Sequence, residues 1–149
     1  MMHRRLLIAA FLVGLGTFAG CSRGGRPLGR VSGFVTYEGN AVPNGTIVFM
    51  PVESGPPAYG NLGPDGHYTL STFSSEDGAV VGKHLVMITA FEKLTPEEAN
   101  NIKRMPKMLI PAKYNDAKKS KLTAEVSAGD NEISFPLIAS EKIVPNKRR

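Results

Sequence analysis

A single cysteine, Cys21, stands among 149 residues. A thiol can serve as nucleophile, metal ligand, half of a disulfide or acyl acceptor. A disulfide needs a second cysteine in the chain. A nucleophilic cysteine needs a positioned base, and His3 lies upstream in an N-terminal segment that reads as removable. The other metal-capable side chains are scattered. His67 and His84 are far apart, each at the start of an apolar run. No H-x-H, C-x-x-C or H-E-x-x-H pattern occurs. Asp65, Asp77, Asp116 and Asp130 fall at turns, but none belongs to a D-x-[DN]-x-[DN]-G loop. Carboxylates in turns commonly bond their own backbone. No metal and no cofactor is expected.

Serines are common, but the strand-turn-helix signature G-x-S-x-G is missing. Glu76 and Asp77 are sequence neighbours, whereas a glycosidase pair must face each other across a substrate. The chain is therefore expected not to be an enzyme. Sugar binding would require exposed aromatic faces. Tyr59 and Phe73 are the candidate ligand-binding residues, with Tyr114 beside them. Tryptophan is absent. Residues 56–59, Pro-Pro-Ala-Tyr, equally suit a sheet-edge segment.

The N-terminus explains the cysteine better than any site does. MMHRR is a short positive region, and LLIAAFLVGLGTF is an apolar run of roughly 13 residues. A spanning helix needs about 20. Ala19 and Gly20, both small, precede Cys21. This resembles the lipobox of bacterial lipoproteins, although that family prefers leucine where this chain has Phe18. The resemblance implies cleavage between Gly20 and Cys21 and a diacylglycerol on the sulfur. Acylation of the new amine would make the anchor stable. A plain secretory signal with a chance cysteine is the competing reading. The implied location is the bacterial outer membrane or cell surface, since Ser22 rather than aspartate follows the cysteine.

Residues 22–30, SRGGRPLGR, show no hydrophobic periodicity and read as a flexible tether of at most ~30 Å. Arg23, Arg26 and Arg30 either touch anionic head groups or are simply solvated. The formal charge of +5 falls by two when Arg4 and Arg5 leave with the signal. Part of the remainder is the Lys147-Arg148-Arg149 tail. No basic stripe with interleaved aromatics accompanies it, so no nucleic-acid partner is expected.

From Val31 onward the apolar period is two. Val31, Gly33, Val35 and Tyr37 share one face, as do Ile47 and Phe49, Tyr68 and Leu70, Leu122, Ala124 and Val126, and Ile133, Phe135 and Leu137. HLVMITAF is apolar almost throughout and predicts a central strand covered on both faces. Turn formers separate these runs: GNAVPNG, Pro64-Asp65-Gly66, the polar loop 74–82 and Gly129-Asp130-Asn131. Gly33 predicts a bulge or close packing. About seven short strands with such punctuation predict an all-β antiparallel sandwich. LTPEEANNIKRMP departs from the pattern. Thr95 and Glu98 have capping-box spacing, Pro96 suits the first helical position, and Pro106 stops the segment. These predict a helix of about two turns in a loop, with Ile102 and Met105 packing it on the sandwich edge.

The strings VSGFVTYEGNAVPNGTIVF, PDGHYTL and GKHLVMIT resemble a carboxypeptidase regulatory-like domain, a transthyretin-like sandwich of about seven strands. IPAKYND, LTAEV and NEISFPL resemble small lipoproteins built from one such domain. These motifs are turn and core residues, so they speak to fold and hardly to function. The expected organisation is a signal peptide over 1–20, lipidated Cys21 and tether over 21–30, the sandwich over 31–139 and a basic tail over 140–149. The expected role is a non-catalytic envelope module that binds a protein partner or is structural, with a glycan or small ligand as the alternative. The membrane is its partner through Cys21.

Overall fold

The computed structural model describes residues 26–101 and 103–139. Residues 1–20 with Gly20, the lipidation candidate Cys21, tether residues 22–25, Ile102 and the tail 140–149 lie outside the described residues.

The architecture is built around β1, Leu28–Tyr37. Its odd residues Val31, Gly33 and Val35 are buried, while Arg30 and Phe34 on the other face are exposed. Three short antiparallel segments lie end to end along one side of it. They are β6 (Ala79–Val80), β5 (His67–Thr69) and β2 (Asn40–Ala41). Two further segments, β9 (Gly129–Glu132) and β10 (Phe135–Leu137), run parallel to β1 along its other side. The second sheet has the order β4 (Ala58–Asn61), β3 (Gly45–Pro51), β7 (Gly82–Ala90), β8 (Leu122–Val126), antiparallel throughout. The fold is an all-β sandwich, with one short helix in a loop. The two sheets also meet at one corner, where Tyr59 and Ser71 exchange backbone hydrogen bonds of 2.9 and 2.8 Å.

Both inner faces contribute to one core. Val31, Val35, Tyr68 and Phe135 come from the first sheet, and Ile47, Phe49, Val86 and Ile88 from the second. Phe49 is the contact point, with its ring centroid 6.3 Å from Tyr68 and 6.0 Å from Phe135. Burying each such side chain contributes roughly 1.5–3 kcal/mol. Tyr68 is buried, but its hydroxyl donates to the Ile133 carbonyl at 2.6 Å, so no polar atom is left unpaired there.

Several expectations need correction. β1 begins at Leu28, so the last three residues of the expected tether belong to the sheet. Leu28 and Gly29 pair with β6, and the Pro27 carbonyl accepts from Val81 N–H at 2.9 Å. The sandwich is antiparallel as expected except along one side of β1, where β9 and β10 run parallel to it. Gly129, Asp130 and Asn131 form β9 rather than a turn. The expected strand over 133–137 starts only at Phe135. The partner strand of β1 breaks at Gly33, where an added Cβ would lie 1.9 Å from the Ile133 carbonyl oxygen. The chain instead bonds across the break, with Phe34 N–H donating to Ser134 Oγ at 3.1 Å. Ala79 and Val80 are buried strand, not part of a polar loop. β7 is central, yet its second face is only half-buried.

The helix α1, Pro96–Ala99, is one turn rather than two. Its capping box is present: Glu98 N–H donates to Thr95 Oγ1 at 3.3 Å, and Thr95 N–H donates to Glu98 Oε2 at 3.0 Å. Asn100 and Asn101 follow, and Asn101 Oδ1 takes the Lys103 N–H instead of extending the helix. No residue of α1 is buried. Met105 is 83% exposed and does not pin the insertion down.

Candidate functional site

β5 and β6 are two pieces of one strand line along β1. Leu70 N–H bonds the Val31 carbonyl, and Ala79 pairs with Gly29. Between them residues 71–78 leave the sheet opposite Arg30. Side chains inside the loop hold it. Asp77 accepts from the N–H groups of Thr72 (2.6 Å), Phe73 (2.9 Å) and Ser74 (2.8 Å). Glu76 N–H donates to Ser71 Oγ at 2.9 Å, and Thr72 Oγ1 donates to the Gly78 carbonyl at 2.6 Å. Partial burial pushes the Asp77 carboxyl up, but the amides of Thr72, Phe73 and Ser74 outweigh it and hold it below the usual range. Gly78 returns the chain to β1 at φ +92°, where an added Cβ would meet the Gly29 carbonyl at 1.9 Å. Glu76 also has positive φ, +58°, which is uncommon outside glycine.

Loop residues Ser75 and Glu76, with Thr69 of β5, are shared walls of two adjoining clefts of about 440 and 350 Å³. Arg30, Ser32 and Asp130 complete the first. Tyr59, Asn61 and Ser71 complete the second. Ser32 and Thr69 are register partners on the outward face of the sheet. Arg30 Nε donates to Asp130 Oδ1 at 2.8 Å, so these two charges cancel. Asn131 is fully engaged, with its amide bridging Arg30, Ser127 and Gly129.

The two aromatic candidates part company here. Tyr59, on β4, is 53% exposed and walls the second cleft. Phe73 is 73% exposed in the loop but walls neither cleft. Tyr114 is buried; its hydroxyl donates to the Ile138 carbonyl at 2.9 Å and accepts from Ile138 N–H at 3.1 Å.

The two histidines and the other turn aspartates sit in structural roles. His84 is buried against Phe49, with ring centroids 5.7 Å apart and Nδ1 3.0 Å from the Gly82 carbonyl. His67 packs edge-on against Phe34 at 5.0 Å. Asp65 accepts from His67 N–H, and Asp116 from Lys118 and Lys119 N–H. Among the described residues, no three His, Cys, Asp or Glu side chains converge. Sequence reasoning did not single out Ser32 or Thr69, and it weighed Arg30 only as a head-group contact and Glu76 only as half of a carboxylate pair. A signal existed: polar residues sit at the outward positions of the first strand, and a polar loop interrupts an apolar alternation.

No family model matches the chain, and no curated protein matches it. One solved structure similar to it is a DUF3823 family protein from Parabacteroides merdae. The two share 17% identity over 75% of this chain, with a TM-score of 0.38. The match covers 46% of that protein's length.

Proposed function

We propose that this chain is a lipoprotein of the bacterial outer membrane or cell surface, anchored through acylated Cys21. Its sandwich is a carboxypeptidase regulatory-like, transthyretin-like module that is non-catalytic and binds an envelope protein. One observation carries the reading: five and six positions after the lipobox-like Cys21, the chain is tied to the sandwich. Arg26 is already held to Glu53 at 2.6 Å, and Pro27 is bonded to Val81. Five positions separate Cys21 from Arg26, a span of at most ~18 Å. That spacing suits a domain kept close to a bilayer. A binding role fits the way the histidines and turn carboxylates are engaged in holding the fold. For a protein partner, the insertion before β8 offers exposed Phe91, Met105 and Met108. The second reading, a glycan or small-ligand module, is favoured by the clefts beside Tyr59.

The test compares wild type with Cys21→Ala in intact bacteria. Wild type should fractionate with membranes and carry lipid mass on residue 21. Crosslinking there should trap a specific envelope protein. If Cys21→Ala fractionates as wild type does and wild type carries no lipid mass, the anchor is wrong.

A further inference from the structure

The hydrogen-bonding capacity of the chain is unevenly used. Asp65, Asp77, Asp116 and Asn131 are engaged by neighbouring backbone. In contrast, the side chains of Ser32, Thr69, Ser75, Glu76, Asn61 and Tyr59 have no hydrogen-bond partner among the described residues, and all of them line the two adjoining clefts. Three are hydroxyls on Ser or Thr, one is an amide, one a carboxylate and one a phenol. Hydroxyls and amides can both donate and accept. The tyrosine adds a flat apolar face at one end. The charge is also specific. Arg30 and Asp130 neutralise one another, leaving Glu76 as the cleft's one uncompensated charge. An anionic ligand would meet that carboxylate without a free cation to offset it. The loop that presents Ser75 and Glu76 is braced by Asp77, so its groups are held in place before any ligand arrives.

We infer that this double cleft is a binding site for a neutral oligosaccharide. One sugar ring stacks on Tyr59, and the strand crosses beneath Ser75 and Glu76 toward the Arg30–Asp130 pair. Glu76 accepts from sugar hydroxyls, a charge-assisted bond that a glutamine would weaken. This takes the second functional reading to a particular site and ligand class, and it does not depend on the lipid anchor.

The test uses the full-length protein, as wild type extracted from membranes and as Cys21→Ala. Each is applied to an array of neutral, uronic and sulfated oligosaccharides, and the brightest neutral oligosaccharide is then titrated by calorimetry. Binding is expected to neutral members, equally for both proteins. Tyr59→Ala should lose at least tenfold in affinity and Tyr59→Phe should keep most of it. Glu76→Gln should lose severalfold, and Phe73→Ala should bind as wild type. Thermal melts by circular dichroism establish that each variant is folded; if Tyr59→Ala is not, the Tyr59→Phe, Glu76→Gln and Phe73→Ala series decides alone. Three results would overturn the proposal: no neutral oligosaccharide above background, a preference for sulfated or uronic chains, or equal binding by wild type, Tyr59→Ala and Glu76→Gln. A photo-crosslinker at Ser75 that captures a protein and no glycan in cells would assign the cleft to that protein instead. Intact glycan binding by a wild type that carries no lipid mass on residue 21 and fractionates as Cys21→Ala does would refute the anchor alone.

Discussion

At Gly33 the β1 backbone passes so close to Ile133 that no side chain fits. An added Cβ would lie 1.9 Å from the carbonyl oxygen and 2.6 Å from its carbon. The obstruction is backbone, so it cannot swing aside as a side-chain tip would. Gly33→Ala should therefore destabilise by about 3 kcal/mol, the upper end of overpacking costs. A urea titration measures this, and a midpoint unchanged from wild type would mean the sheet gives way there. His84 makes a different prediction. It is 1% exposed, and its Nε2 has no partner. Burial pushes its pKa below the ordinary 6.5; the Gly82 carbonyl and the Glu125 charge oppose this and do not overcome it. The unfolded chain then takes up a proton more readily than the folded one. Stability is full above about pH 6.5 and falls as pH drops through the folded value. Between pH 7.5 and 5.5 the wild-type urea midpoint should decrease, and in His84→Leu that decrease should shrink. An identical decrease in both proteins would assign the pH response to other groups.

The elements were legible where their alternation was local. Val31, Val35, Ile47, Phe49, Tyr68, Leu70, Val126, Phe135 and Leu137 all fill the core as their spacing predicts. What escaped was non-local. Nothing in Gly129-Asp130-Asn131 announces a strand, since these are turn formers; they are extended because β1 offers a parallel ladder. β4 lies in a Gly/Pro-rich stretch where Pro-Pro-Ala-Tyr was legible as a sheet-edge segment, but its pairing with β3 was not. The cleft was harder still. Tyr59 could be picked out by type, but Ser32 and Thr69 matter only through their register across two strands. The helix was legible at its start and not at its end. Thr95 and Glu98 form the box, but the apolar contacts that sustain a longer helix are missing. Thr95→Ala should consequently remove a cap worth ~1 kcal/mol to the turn while leaving the thermal midpoint of the sandwich almost unmoved. Tryptic cleavage after Lys103 and Arg104 should accelerate severalfold. A clear fall in the midpoint would show that the insertion does brace the sandwich.

The whole molecule depends on joining the beginning of the described chain to its end. β1 pairs with β9 and β10 across about a hundred residues. Contacts that distant require large loop closure before they contribute, so folding should be slow for a chain of this size, in the millisecond-to-second range. The same topology argues that the C-terminal strands cannot be dispensed with. A chain ending at residue 128 lacks Phe135 and Leu137, each buried in the core and each worth roughly 1.5–3 kcal/mol. It also lacks the Ile133 carbonyl that takes the Tyr68 hydroxyl. A buried phenol left without a partner costs a further ~1–3 kcal/mol. Added to the lost parallel ladder, these terms reach the ~5–15 kcal/mol that holds a typical domain together. The truncated chain should accordingly show no cooperative urea transition and no near-ultraviolet tyrosine signal. A cooperative melt within a few degrees of the full chain's would mean that the antiparallel partners of β1 are enough. The parallel closure of the sheet would then be an addition to the sandwich rather than its foundation.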